Sequence, residues 1–143
     1  MKSRCLPLIA LCAALGACNT EPDFTLTVDQ LSSDIVGGTL GTDSVTSRPS
    51  VATEISLHGV FYGGVTCDGI TWDGRRQFGG RLTVTISAPP ASGCLRIQRR
   101  IEYSLTIGNI DPAVYQIEIF HDEPETARGR RSVFTGSFDL RNR

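Results

Sequence analysis

The chain has 143 residues, of which 14 are basic and 15 are acidic. This length accommodates one ordinary domain but not comfortably two. No serine elbow of a hydrolase, phosphate-binding glycine loop or paired-histidine metal motif is present, which argues against the enzyme classes that those motifs mark.

The N-terminus is typical of an export signal. Lys2 and Arg4 supply positive charge, and residues 6–15 form an apolar run that only Pro7 interrupts. This run is far shorter than the ~20 residues of a membrane-spanning helix, and small residues follow it, as in secretory signals. We therefore predict that residues 1–17 are removed on export.

The end of this signal resembles the lipobox of bacterial lipoproteins, in which a branched apolar residue and two small residues precede a cysteine. Here the sequence is Leu15-Gly16-Ala17-Cys18. The resemblance implies that a diacylglycerol is attached to Cys18, that the signal is cut before it, and that fatty acids such as palmitate complete a stable membrane anchor. Asn19 replaces the aspartate that commonly retains such proteins at the inner membrane, which favours the outer membrane of a diderm cell envelope.

Residues 18–52 are predicted to be a flexible spacer behind the lipid, because they are rich in Thr, Ser, Gly and Asp. Phe24, Leu26 and Val28 alternate with polar residues and could form a short strand within it. Residues 53–143 then form the predicted folded domain.

The domain alternates apolar and polar residues with a period of two, which is typical of strands that have one buried face. The apolar rows run through residues 55–61, 82–86, 101–107, 115–119 and 134–140. Turn pairs such as Gly63-Gly64, Asp73-Gly74 and Pro89-Pro90 separate them. This pattern predicts an all-β, antiparallel sandwich of about seven strands.

Residues 105–119, LTIGNIDPAVYQIEI, resemble a segment of bacterial immunoglobulin-like and fibronectin-III-like secreted domains. In those domains a strand ends in an apolar residue, a Pro-Gly turn follows and a tyrosine opens the next strand. The resemblance implies that the Tyr115 hydroxyl bonds to nearby backbone, as in a tyrosine corner. Ala113 stands where glycine is usual. The resemblance concerns the fold and does not identify a function.

The cysteine count predicts one disulfide. Cys5 and Cys12 leave with the signal and Cys18 carries the lipid, so Cys67 and Cys94 remain in an oxidising compartment. Two cysteines cannot hold a structural zinc ion alone, and no nearby pair of histidines completes such a site.

One possible site is the acidic segment His121-Asp122-Glu123 with Glu125. Its oxygen and imidazole ligands could hold a metal ion, although such a cluster is more often a solvated loop. His58 lies on the polar row of its strand and is interpreted as a surface histidine.

A second possible site is the segment Trp72-Asp73-Gly74-Arg75-Arg76. An exposed Trp72 with Arg75 and Arg76 could stack on a sugar or bind a protein partner, whereas a core role for the only tryptophan is the simpler alternative. Arginine is concentrated in residues 75–143, where it could favour an anionic surface or simply face solvent.

The sequence therefore predicts a lipid-anchored protein of the cell envelope that acts as a non-catalytic binding or structural module. Its predicted partners are the membrane, through Cys18, and an envelope protein or glycan; no cofactor and no nucleic acid are expected. The alternative is a metal-binding or hydrolytic protein that uses the His121-Asp122-Glu123 segment.

Overall fold

The computed structural model describes residues 24–65, 69–89, 93 and 95–141. These residues form eight strands and no helix: β1 (Thr25–Ile35), β2 (Ser44–Ser47), β3 (Glu54–Val65), β4 (Thr71–Gln77), β5 (Arg81–Ser87), β6 (Ile97–Gly108), β7 (Val114–Glu123) and β8 (Gly129–Asp139). The predicted all-β class is confirmed. The described part of the chain accordingly contains no helix with the length and apolar character needed to cross a membrane.

The strands form two sheets of four. The first has the order β1-β6-β3-β2 and the second β4-β5-β7-β8. All neighbours are antiparallel except β5 and β7, which are parallel. The parallel pair differs from the wholly antiparallel arrangement that the sequence predicted. It arises because the chain leaves the second sheet after β5, passes through β6 of the first sheet and returns as β7.

One apolar core contains residues from both sheets. In β5 the side chains of Leu82, Val84 and Ile86 are fully buried, whereas Thr83 and Thr85 between them are partly exposed. The same alternation recurs in β3, β6 and β7. The period-two pattern of the sequence therefore identifies the buried face of each central strand correctly.

The two segments predicted as spacer contribute the edge strands of the first sheet. β1 pairs with β6 from Thr25 opposite Gly108 to Ile35 opposite Arg99, and the four residues of β2 pair with β3. An edge strand is held by backbone hydrogen bonds along one side only, so it needs few apolar side chains. This explains why a polar composition suggested a spacer, although residues 25–35 and 44–47 within it are strands of the first sheet.

The start of β1 lies at one particular end of the two sheets. Thr25 faces Gly108, the last residue of β6, and a short connection leads from there to Val114 in β7. The Gln116 N–H in β7 donates a hydrogen bond to the Gly80 carbonyl, 3.1 Å away, in the β4–β5 hairpin. We call this end, formed by Thr25, the β6–β7 connection and the β4–β5 hairpin, the N-proximal end. The opposite, distal end contains Ile35 and the end of β7.

The β6–β7 connection has the hydrogen bond that the sequence resemblance implied. The Tyr115 hydroxyl donates to the Asp111 carbonyl at 3.0 Å, while the Tyr115 ring is fully buried. Asn109 adopts a positive φ of 55° in the same connection, a conformation that asparagine tolerates better than most residues. The Tyr115 hydrogen bond and the Asn109 backbone conformation thus shape the β6–β7 connection, and both arise from residues close together in the sequence.

Candidate functional site

Six ionisable side chains meet between the two sheets near the distal end, and all of them are buried except two partly exposed arginines. This buried polar cluster consists of Asp43, Tyr103, His121, Glu123, Arg128 and Arg131. Its members come from the residue before β2, from β6, from β7, from the β7–β8 turn and from β8. It therefore connects the first sheet to the second along one side of the molecule.

His121 and Glu123 reach this position because the apolar row of β7 continues through them. Tyr115, Ile117 and Ile119 point into the core, and the same alternation directs His121 and Glu123 inward with 0% and 1% exposure. The Phe61 ring of β3 packs against the His121 ring with centroids 4.9 Å apart. The alternation of side chains along β7 therefore buries His121 and Glu123, and neither residue lies in a loop.

The two nitrogens of His121 face different partners. Nε2 lies 2.8 Å from the Tyr103 hydroxyl oxygen, and Nδ1 lies 3.2 Å from Asp43 Oδ2. The second contact has the distance of an ion pair but not the alignment of a hydrogen bond. We assign the neutral tautomer with its proton on Nδ1, because Asp43 can only accept and the Tyr103 hydroxyl can then donate to Nε2.

Asp43 has contacts from three directions. The Tyr62 N–H donates to Oδ1 at 2.7 Å. The Arg131 Nε donates to Oδ2 at 2.6 Å, and the Arg128 guanidinium lies 3.3 Å from the same oxygen. The carboxylate is only 5% exposed, so these charge-assisted bonds replace most of its hydration.

Glu123 completes the charge balance of the cluster. Its Oε2 accepts a hydrogen bond of 3.1 Å from the Gly64 N–H. Its Oε1 lies 3.0 Å from Arg131 Nη2 and 3.5 Å from Arg128 Nη1. Two carboxylates thus face two guanidinium groups, and the cluster is neutral as long as His121 is uncharged.

The environment favours this neutral arrangement. Burial lowers the pKa of His121 below its usual value, Asp43 opposes this effect, and the two arginines reinforce it. For Asp43, burial alone would raise the pKa, but the neighbouring His121 side chain and the hydrogen bond from the Tyr62 backbone hold the pKa below its usual range. Burial raises the pKa of the Tyr103 hydroxyl, which stays protonated.

The order Tyr103–His121–Asp43 resembles a relay in which a carboxylate orients a histidine that accepts a proton from a hydroxyl. Here, however, Tyr103 and His121 are both fully buried, so a substrate cannot reach either side chain in this conformation. The geometry instead suits a structural role, because it joins the β2 edge of the first sheet to β7 and β8 of the second.

The predicted acidic loop is therefore a buried strand end. His121, Asp122 and Glu123 all belong to β7, and Asp122 points to the opposite side from its two neighbours. Glu125 lies beyond the strand, 2.9 Å from Arg96. Across residues 24–65, 69–89, 93 and 95–141, no group of three His, Cys, Asp or Glu side chains is arranged to hold a metal ion.

His58 does not join the cluster. Its imidazole is partly exposed and lies 3.8 Å from the Glu102 carboxylate on the neighbouring strand. This partial exposure agrees with the interpretation of His58 as a surface histidine.

The Trp72 segment is a strand and not a turn. β4 is an edge strand of the second sheet, and six of its seven residues are exposed. Trp72 is 45% exposed, so it is not the core residue that the simpler interpretation required. Arg75 pairs with Asp73 at 3.1 Å in solvent, whereas the Arg76 guanidinium lies 5.9 Å from the centre of the Tyr115 ring.

Cys18, Cys67 and Cys94 lie outside the described residues. The last described pair of the β3–β6 ladder is Val65 opposite Ile97. In the sequence, Cys67 follows Val65 by two residues and Cys94 precedes Ile97 by three.

A shallow cavity of about 130 Å³ lies against β5, β7 and β8, lined by Arg81, Gln116 and Thr135 among others. Its volume is below the 300–1,000 Å³ that is typical of small-molecule sites. Comparison of the chain with protein-family models, with curated proteins and with solved structures finds no match.

Sequence reasoning missed four members of the buried polar cluster, namely Asp43, Tyr103, Arg128 and Arg131. For His121 and Glu123 the signal was present, because both continue the apolar row of β7 at a spacing of two. For Asp43 no local signal exists, since its partners lie far away in the sequence.

Proposed function

We propose that the mature chain is a lipid-anchored protein of the cell envelope whose two-sheet, immunoglobulin-like domain acts as a non-catalytic binding or structural module. The lipid is attached at Cys18. The binding surface is the exposed strand β4, and the partner is another envelope protein or a glycan. The observation that carries the proposal of a binding surface is that the half-exposed Trp72 lies on a sheet edge with which no described strand pairs.

The lipobox-like sequence supports the anchor, and the position of the fold is compatible with it. Phe24, the first residue that the structure describes, follows Cys18 by six residues in the sequence. A fully extended link of this length spans at most about 20 Å. In the outer membrane of a diderm cell, which Asn19 favours, the domain is thus held close to the bilayer.

The buried polar cluster supports a non-catalytic role. Its carboxylates are each paired with arginines, and its histidine and tyrosine are enclosed by the core. An active site keeps at least one reactive group within reach of substrate. The most perturbed titratable side chains of the described chain are instead used to connect the two sheets.

Strand β4 supports a binding role because none of the strands that the structure describes pairs with its outer edge. An extended segment of a partner can add to such an edge through backbone hydrogen bonds. Trp72 supplies an aromatic surface, and Arg75 supplies a cation that is 80% exposed. Tryptophan and arginine are both enriched where binding energy is concentrated.

The anchor is tested by labelling cells that express the full chain with a palmitate analogue. We expect label on the wild-type protein and none on Cys18→Ala, which should also stay uncleaved or become soluble. Cys12→Ala is the matched control, because Cys12 lies within the predicted signal and should leave labelling unchanged. Label that persists on Cys18→Ala contradicts the proposed lipid site.

The binding surface is tested by affinity capture of the mature domain from its own envelope, with bound proteins and glycans identified. We expect a partner that is lost with Trp72→Ala and weakened with Arg75→Ala. Leu31→Ala, at another exposed apolar side chain, should capture the same partner. A partner retained by all three variants excludes β4 as the contact surface.

A further inference from the structure

The β4–β5 hairpin carries an exposed aromatic side chain at its tip. Gln77 pairs with Arg81, so the turn contains Phe78, Gly79 and Gly80. Gly79 and Gly80 have φ values of +80° and +76°, a backbone conformation that glycine adopts most readily. The Phe78 side chain is fully exposed. The hairpin thus presents a large apolar side chain to its surroundings, with no covering group from the described residues.

The hairpin lies at the N-proximal end, where the chain joins the fold. A Cβ atom at Gly74 of β4 would lie 2.6 Å from Leu26 and 3.4 Å from the Phe24 ring, so the start of β1 packs beside the middle of β4. Four residues of extended strand separate Gly74 from Phe78, a distance of about 13 Å. The hairpin tip therefore projects beyond the point at which the link to Cys18 begins.

These lengths make contact with the membrane possible. If Cys18 is anchored, its link to Phe24 can extend to about 20 Å, which exceeds the ~13 Å projection of the hairpin. The tip can thus reach the bilayer surface while the domain stands on it. Val51 and Val114 are further exposed apolar side chains at the same end.

The charges around the hairpin suit an anionic surface. Arg76 and Arg81 border the tip, and neither forms an ion pair with another residue of the described chain. Arg141 at this end is paired with Asp139 at 2.6 Å. Asp111 is an exposed acid there, and Glu54, opposite Gly108, is a partly exposed one. These acids offset part of the attraction, so the two arginines at the tip orient a domain whose attachment depends on the lipid. Aromatic residues at the headgroup boundary with flanking arginines are typical of interfacial contact.

We propose that the N-proximal end faces the membrane, with Phe78 inserted at the headgroup boundary of an anionic bilayer and Arg76 and Arg81 beside it. This proposal rests on the lipid anchor proposed above. It orients the domain so that the distal end, with the buried polar cluster beneath it, points away from the membrane.

The test uses the full lipidated protein in vesicles of phosphatidylethanolamine and phosphatidylglycerol that contain a lipid with a quencher near its headgroup. The only tryptophan is removed as Trp72→Phe, and Phe78→Trp is added as the probe. We expect blue-shifted emission that the quencher reduces. Ile35→Trp in the same background is the matched control, because Ile35 is an exposed apolar residue at the distal end; its emission should be neither shifted nor quenched.

Flotation of the same vesicles separates failure of the anchor from failure of the orientation. A protein that does not float with the vesicles overturns the anchor and, with it, this inference. A protein that floats with a probe at position 78 as unquenched as the probe at position 35 overturns the orientation alone. Arg81→Gln should weaken quenching of the position-78 probe, and an unchanged signal would remove the arginine from the contact.

Discussion

The Asp43 carboxylate and the His121 imidazole lie 3.2 Å apart in the interior, although one residue precedes an edge strand of the first sheet and the other belongs to a central strand of the second. Direct contacts between β2 and β8 accompany this pair. Arg131 in β8 binds Asp43 as well. Because β2 has only four residues, these side-chain contacts hold an edge that its backbone hydrogen bonds alone would hold weakly.

The buried histidine makes the stability of the fold depend on pH. Burial lowers the pKa of His121 in the folded state, so near and below the unfolded value of about 6.5 the unfolded chain binds a proton that the folded chain resists. The free energy of unfolding should therefore fall as the pH is lowered from 7 to 5.5, with a slope of at most about 1.4 kcal/mol per pH unit. Urea denaturation at several pH values measures it.

His121→Gln should flatten this pH dependence, whether or not it changes stability at pH 7. His58→Gln is the control, because His58 is partly exposed and outside the cluster, and it should leave the slope unchanged. A wild-type protein with the same stability at pH 7 and pH 5.5 would contradict the assignment of a neutral, buried His121.

Removing one charge from the cluster should be costly. Asp43→Asn keeps the volume and an acceptor for the Tyr62 N–H, but it leaves Arg128 and Arg131 with Glu123 as their remaining carboxylate. Loss of one partner from a buried ion pair typically destabilises by about 3–5 kcal/mol. We expect a loss of this order in urea denaturation, without a large change in the denaturant dependence.

Asp73→Asn is the matched substitution at the surface. Asp73 pairs with Arg75 in solvent, and such exposed pairs contribute little. Equal effects of Asp43→Asn and Asp73→Asn would show that the buried pairing does not stabilise the fold.

How much of the fold the sequence predicts depends on how far apart in the chain the interacting residues lie. The row Leu82, Val84 and Ile86 was predictable, because alternation within one strand decides which side chains are buried. The membership of β1 in the sheet was not predictable, because it depends on backbone pairing with β6, whose residues lie far away in the sequence. Asp43 illustrates the same limit, since nothing next to it in the sequence encodes its contacts with His121 and Arg131.

The approach of two strands at Gly59 provides a test of the hydrogen bond between Tyr103 and His121. Gly59 in β3 lies opposite Tyr103 in β6, and a Cβ atom at Gly59 would overlap the Tyr103 ring. Gly59→Ala should thus displace the ring, weaken its bond to His121 and destabilise the fold by about 1–3 kcal/mol, as overpacking does. Thermal or urea denaturation measures the loss.

Gly37→Ala is the control for the added methyl group, because no atom lies within 4 Å of a Cβ atom at that position. It should leave stability nearly unchanged. If Gly59→Ala is as stable as Gly37→Ala, the Tyr103 ring can move without cost, and its position is not fixed by the cluster.

The sequence predicts a disulfide between Cys67 and Cys94, both of which lie outside the described residues. Closing a loop of this size stabilises a fold by about 3–4 kcal/mol in the chain-entropy model. Reduction of the exported protein should therefore lower its melting temperature by several degrees.

The double variant Cys67→Ser/Cys94→Ser should melt at the temperature of the reduced protein and should not respond to reductant. Two free thiols in the exported wild-type protein, found by titration under denaturing conditions, would exclude the disulfide.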